Sequence, residues 1–193
     1  MITISIIVGS TRQGRFSEKA AEWVRANLSQ RPLLQVKVLD LRDFALPFFD
    51  QPAPPAMPGR DPYTEPVVQK WTAEIAASDG FIFVTPEYNH SISAVLKNAI
   101  DWVYPEWNRK AAAFVSYGSA GGARAIEQLR LISVELQVAP MRAAVHLPLS
   151  TLMAHFQRGD VDAELEKSKS QLGPMIDGLL WWMDALKVAR GAN

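Results

Sequence analysis

The residues able to do chemistry gather in three short polar stretches, each rich in backbone donors. The first is Gly9-Ser10-Thr11-Arg12-Gln13-Gly14-Arg15-Phe16-Ser17, between an apolar run and an amphipathic one. Hydroxyls from Ser10, Thr11 and Ser17, guanidinium groups from Arg12 and Arg15, and the free N–H groups of a helix start together make a cradle for an anion such as phosphate. The spacing approaches a Walker A loop, with Gly9, four residues, Gly14 and a base. Its chemistry does not, because Arg15 replaces the lysine and Phe16 stands where a magnesium-binding hydroxyl belongs. Alone, the stretch reads equally well as a Gly/Ser turn with surface arginines. The second stretch is Thr85-Pro86-Glu87-Tyr88-Asn89-His90-Ser91, where Pro86 and the polar cluster stop a strand and free the following amides to face a crevice. The third is Ser116-Tyr117-Gly118-Ser119-Ala120-Gly121-Gly122, whose glycines let backbone approach a ligand.

Positioning these stretches takes alternating strands and helices. Short apolar runs at Ile2 to Val8, Gln35 to Asp40, Phe81 to Thr85, Ala111 to Ser116 and Arg142 to Leu147 predict five strands, the first, third and fourth apolar enough for burial on both faces. Amphipathic segments at Ser17 to Leu28, Tyr63 to Ala77, Ser93 to Trp102, Ala120 to Gln137 and Val161 to Ala189 predict the helices, with Pro174 kinking the last or starting a second helix there. The order is that of an α/β chain with a doubly wound parallel sheet. With strand order 2-1-3-4-5, all three polar stretches lie at the carboxyl edge, and they converge where the winding reverses. The length of 193 residues suits one domain over 1–193. Within it, a loop at about 47–66 holds Pro47, Pro52, Pro54, Pro55, Pro58, Pro62 and Pro66.

Composition narrows the function classes. With 20 Lys+Arg against 20 Asp+Glu, no global field collects nucleic acid or an anionic membrane. The apolar start lacks a basic leader and is interrupted by Arg12, so neither signal peptide nor membrane span is expected. Zero cysteines remove disulfides, thiolate nucleophiles and Cys-based metal sites, and agree with a cytoplasmic location. His90, His146 and His155 are scattered, so no catalytic triad can be assembled and no metal site is expected. Trp23, Trp71, Trp102, Trp181 and Trp182 fall on helical segments and read as core or interface packing.

Gly9-Ser10-Thr11-Arg12 with Gly14-Arg15 and Ser17, then Thr85 to Asn89 running through Leu96-Lys97-Asn98-Ala99-Ile100-Asp101-Trp102, then Tyr117-Gly118 through Gly121-Gly122-Ala123-Arg124, together resemble the NAD(P)H-dependent FMN reductase family of flavodoxin-like proteins. The similarity spans about residues 1 to 150. It implies noncovalent FMN, NADPH or NADH as co-substrate, and a hydride passed by flavin N5 to flavins, quinones, azo dyes or metal oxyanions, with no obligatory side-chain acid or base. Carried over, Ser10, Arg12 and Ser17 would bind the FMN phosphate, with Arg15 nearby. Pro86, Glu87, Tyr88 and Asn89 would line the isoalloxazine, and Ser116, Tyr117, Gly118 and Gly122 its other side. Ser93 stands where relatives often have proline. Arg12, Arg15, Arg109 and Arg124 are the candidates for the 2'-phosphate of NADPH.

Two other readings stand beside this one: a flavodoxin-like FMN electron carrier without turnover of its own, and a sheet protein for another phosphorylated ligand. The carrier reading fits poorly with arginines in the phosphate loop. A homodimer or homotetramer is expected, both from the resemblance and from Val95, Leu96, Ala99, Ile100, Trp102, Val103 and Trp107, more apolar surface than one sheet face obviously requires.

Overall fold

Alternation within the first strand decides how the sheet is covered. In β1 (Ile2–Val8) the side chains of Ile4, Ile6 and Val8 enter one core and Ile7 enters the other. β3 (Gly80–Pro86) repeats this with Ile82 and Val84 against Phe81 and Phe83, and β4 (Ala111–Tyr117) with Ala113 and Val115 against Ala112 and Phe114. Successive side chains on a strand point to opposite faces, so continuous apolar runs require helices on both. The computed structural model describes residues 1–59 and 61–192; Arg60, within the proline-rich stretch, and Asn193 lie outside them.

One face is covered by α1 (Ser17–Leu28) and α7 (Lys169–Gly191), the other by α2 (Pro66–Ala77), α3 (Ala94–Asp101) and α4 (Ala123–Glu135). With β2 (Leu34–Asp40), every pairing is parallel and the order is 2-1-3-4-5, as the sequence predicts. Register brings Val8 beside Asp40 and Val84, and Pro86 beside Tyr117, so four strands end along one edge.

The fifth position differs from expectation. It is split into β5 (Ala139–Pro140) and β6 (Val145–Leu147), both paired to β4. Ala139 and Met141 donate to the carbonyls of Lys110 and Ala112, while Pro140 turns its ring nitrogen to the outer edge, where no donor is needed. Arg142, expected at the strand start, instead gives its carbonyl to Arg130 of α4 at 2.8 Å. A helix absent from the sequence prediction, α5 (Leu149–Phe156), follows β6. The terminal helical segment divides into α6 (Val161–Glu166) and α7, with the break at Lys167 and Ser168; Pro174 lies inside α7 and starts no helix.

Most of the apolar surface expected to need a partner is absorbed within the chain, and Val95 alone of those residues stays exposed. Leu96, Ala99, Ile100, Trp102, Val103 and Trp107 are buried in the core beneath α2 and α3, so they give no argument for assembly. Trp71 is buried there too, while Trp181 and Trp182 lie exposed on α7. Asn98 and Trp102 explain why the resembling motif matters: both donate to the Pro47 carbonyl at 2.8 Å, and Asn98 Oδ1 accepts from Phe49 N, pinning the start of the proline-rich loop to α3. Among the described residues no helix is long and apolar enough to cross a membrane.

At the far edge, Lys110 is buried and donates to the carbonyls of Ile75 (2.7 Å) and Ala76 (3.0 Å) in the last turn of α2. Burial, aided by the charge of Arg190, lowers its pKa to about 8. The unfolded chain therefore binds more protons than the folded one between that value and 10.5, and stability rises with pH across this window. Urea unfolding of the wild type should show a gain approaching ~1.4 kcal/mol per pH unit that Lys110→Met lacks. Parallel pH profiles for the two proteins would contradict the assignment.

Candidate active site

Where β1 ends, Gly9 donates to Val84 O at 2.8 Å and the first polar loop leaves the sheet. A side chain at Gly9 would put its Cβ 2.9 Å from Leu96 Cδ2 and 3.2 Å from Val84 O, so only glycine passes here without movement. The loop's carbonyls are then taken by side chains from several elements. Ser93 Oγ donates to Gly9 O at 2.5 Å, Arg15 Nη1 donates to Ser10 O, and His155 Nε2 donates to Gly14 O at 3.0 Å. Arg42 donates to Thr11 O (3.4 Å) and Arg12 O (2.6 Å).

A trans peptide directs its N–H opposite its C=O, so fastening the carbonyls turns the amides the other way. Among the described residues the N–H groups of Ser10, Thr11, Gln13 and Arg15 have no acceptor, and Arg12 N has only Ser10 Oγ at 3.5 Å. Helix α1 opens after Phe16 with no side-chain cap, and its first N–H, that of Ser17, is turned to the Tyr117 hydroxyl. Ser17 is fully buried, and its hydroxyl faces the Tyr117 phenol. Open N–H groups gathered ahead of a helix start fit a bound oxyanion. This loop therefore fits the phosphate end of FMN.

The structure places the Arg15 guanidinium beneath the loop. Its side chain is buried, both terminal nitrogens grip the Asp40 carboxylate, and its charge is neutralised inside the fold. The loop is consequently less cationic than its own residues suggest. Burial alone would raise the Asp40 pKa, but the Arg15 hydrogen bond, the Arg42 N–H and both positive charges hold it below 3.8. Arg12 stays exposed, with its guanidinium 5.5 Å from the ring centroid of Phe156 at the end of α5.

In the second loop, Tyr88 and Ser91 exchange two backbone bonds of 2.9 Å around Asn89 (φ 49°) and His90 (φ 66°). Positive φ at both central residues marks a tight hairpin turn, for which asparagine is well suited. Pro86 is buried at the strand end, and Tyr88 Oη stands 3.4 Å from Ser10 Oγ, joining the first loop to the second. Glu87 turns away from the crevice. Its carboxylate binds the Arg124 guanidinium and accepts the Arg124 N–H at 3.1 Å, capping α4, while Glu87 N donates to Tyr117 O at 2.9 Å. His90, given no role from sequence, meets Arg124 Nη1 at 2.8 Å; arginine can only donate, so His90 Nε2 is the acceptor there.

In the third loop, Ser116 Oγ is buried and donates to Thr85 O at 2.8 Å, beneath Gly122. It supports the loop and does not face the crevice. Tyr117 also turns inward, edge-on to Phe16 at 4.9 Å, and burial pushes its phenol up to about 12. Its side chain lies under the first loop. Gly118 and Gly122 remain as backbone lining, and Gly118 packs against Glu87. Of the four arginines considered for NADPH, Arg15 is buried and Arg109 precedes β4 at the opposite edge of the sheet. Arg12 and Arg124 alone among the four are exposed or half-exposed at the carboxyl edge.

Sequence reasoning missed Asp40, Arg42, Ser93 and His155 as builders of this site. Asp40 and Arg42 were discoverable: the end of β2 shares the carboxyl edge with the other three strands. Ser93, replacing the frequent proline, caps α3 by accepting from Leu96 N (3.2 Å) as it bonds Gly9 O. His155 had no signal, since α5 itself was not foreseen.

The chain is similar to known proteins in sequence and in fold. The sequence profile described as NADPH-dependent FMN reductase matches residues 2–151. An NAD(P)H-dependent FMN reductase of Nectria sp is 36% identical over 97% of this chain and 96% of its own. Another, of Schizosaccharomyces pombe, is 38% identical over 86% of this chain and 82% of its own. Among solved structures, FerB, a flavoenzyme NAD(P)H:(acceptor) oxidoreductase from Paracoccus denitrificans, superposes with a TM-score of 0.70 at 25% identity, covering 96% of this chain and 98% of that one.

Proposed function

The chain belongs to the NADPH-dependent FMN reductase family, and from that premise we propose which of its residues carry the reaction. The protein is an oxidoreductase in which bound FMN accepts a hydride from NADPH or NADH and gives it to an acceptor such as a flavin or a quinone. The carrier reading, without turnover of its own, has no support among these relatives.

The observation that carries the site assignment is the group of loop N–H groups left open ahead of α1, turned outward by carbonyls that are fastened from behind. Ser10, Arg12, Ser17 and the loop amides bind the FMN phosphate. Arg15 shapes that loop from beneath. Pro86, Tyr88 and Asn89, with the backbone of Glu87, line one side of the isoalloxazine, and the backbone of Tyr117, Gly118 and Gly122 borders the other. Ser116 holds the third loop in place. The residues supply binding, orientation and hydrogen-bond donors, and the cofactor supplies the hydride chemistry. The whole of 1–193 acts as a single FMN-binding domain, and its lack of cysteine agrees with a cytoplasmic location. A homodimer or homotetramer follows the expectation for the family, with exposed Trp181, Trp182 and Val188 on α7 and Leu131 and Val134 on α4 as available apolar surface.

Two measurements test this reading. Steady oxidation of NADPH and NADH, followed with a panel of flavins, quinones, azo dyes and chromate, should show turnover with several acceptors. No turnover with any acceptor would remove the assignment. Light scattering at micromolar concentration should give a multiple of the 21.4 kDa chain mass, and a monomeric mass would remove the oligomer.

A further inference from the structure

We propose that Arg42 is a positioning residue for the flavin phosphate: from the end of β2 it fastens two successive carbonyls of the first loop, so that the loop's amides face the anion. The inference rests on the FMN reading above. Three consecutive carbonyls of that loop are held from one place. Arg15 takes Ser10 O, and Arg42 takes Thr11 O and Arg12 O. Both arginines are themselves set by Asp40, whose carboxylate grips the Arg15 guanidinium and accepts the Arg42 N–H at 2.9 Å. Asp40 closes β2 and caps the short turn Leu41–Asp43 that carries Arg42. The end of an edge strand thus fixes the peptide orientation of the loop beyond its neighbour.

The physical reason is pre-organisation. A loop whose carbonyls were free would rotate some of its peptides and present oxygen, not N–H, to an incoming phosphate. Held as it is, the loop meets the anion with its donors already aligned, and less ordering cost is charged to binding. Arg42 does this with Nε and Nη2, and its remaining nitrogen Nη1 forms a loose ion pair with Glu18 at 3.8 Å. Its role is separable from charge, because a lysine keeps the charge and loses the planar fork that spans two carbonyls.

The test compares FMN with riboflavin, which lacks the phosphate, by fluorescence titration of the flavin-free wild type, Arg42→Gln and Arg42→Lys. Arg42→Gln should weaken FMN by about tenfold or more, the equivalent of one or two hydrogen bonds, and leave riboflavin unchanged within about twofold. Arg42→Lys should fail to restore FMN binding. The proposal is overturned if Arg42→Gln binds FMN as the wild type does, if Arg42→Lys restores it fully, or if both flavins weaken equally. A wild type that binds no FMN overturns the FMN reading itself, which separates the two failures.

Discussion

Gly122→Ala is expected to leave the protein nearly free of flavin and to lower its melting temperature by roughly 10 °C, from a cost of several kcal/mol at about 2–4 °C each. Gly122 has φ 71°, and a Cβ there would lie 2.0 Å from Ser116 Oγ, 2.4 Å from Ser116 Cβ and 2.6 Å from Tyr117 N. The first effect is conformational, about 1–2 kcal/mol for a side chain in the left-handed region. The second is steric and adds about 1–3 kcal/mol, because two of the three atoms are close to or part of the backbone and cannot swing aside. Moving Ser116 would break its bond to Thr85 O and shift β4 against β3, where the second and third loops leave the sheet. Gly14→Ala is the control. Gly14 also has positive φ, 61°, but no atom lies within 4 Å of its would-be Cβ, so only the conformational cost applies. Equal melting temperatures for the two variants would show that the crowding at Gly122 is relieved easily.

The second large effect separates two neighbouring arginines. Arg12→Ala should weaken FMN by about ten- to a hundredfold, the range of a lost charge-assisted hydrogen bond, while barely changing thermal stability. Arg12 is exposed, and its guanidinium lies over the ring of Phe156. Arg15→Ala should do the reverse first: it leaves Asp40 without its partner and Ser10 O unfastened, costing about 2 kcal/mol or more of stability. Any loss of FMN binding would follow from the disturbed loop. Unchanged FMN affinity in Arg12→Ala would refute the phosphate cradle, and an unfolding curve for Arg15→Ala matching the wild type would refute its structural role.

These distinctions also mark what could be read from sequence. Strand order and the meeting of three loops at one edge follow from apolar runs and the handedness of parallel connections, both local or general properties. The direction of a side chain is not local. Arg12 and Arg15 look alike in the sequence, and only the end of β2, twenty-five residues further on, decides that Arg15 turns inward to Asp40. Glu87, Ser116 and Tyr117 belong to the right loops, yet each spends its side chain on the scaffold, on Arg124, on Thr85 O and under Phe16. The short helix α5 was missed because eight residues carry little periodic signal, and its place is set by packing of His155 against Phe16 and Gly14. Likewise, Leu96, Ala99 and Ile100 of α3, and Trp102, Val103 and Trp107 after it, read as a surface only until the depth of the core on that face is known.

The central claim is that this chain seats FMN in the loops at the carboxyl edge and that a nicotinamide reduces it there. The most direct measurement is the visible spectrum of the FMN-loaded protein, followed anaerobically as NADPH or NADH is added and then a quinone. The account predicts that the oxidised-flavin band bleaches with at least one nicotinamide and returns with the quinone. A protein that holds FMN whose band stays unchanged with both NADPH and NADH would contradict it.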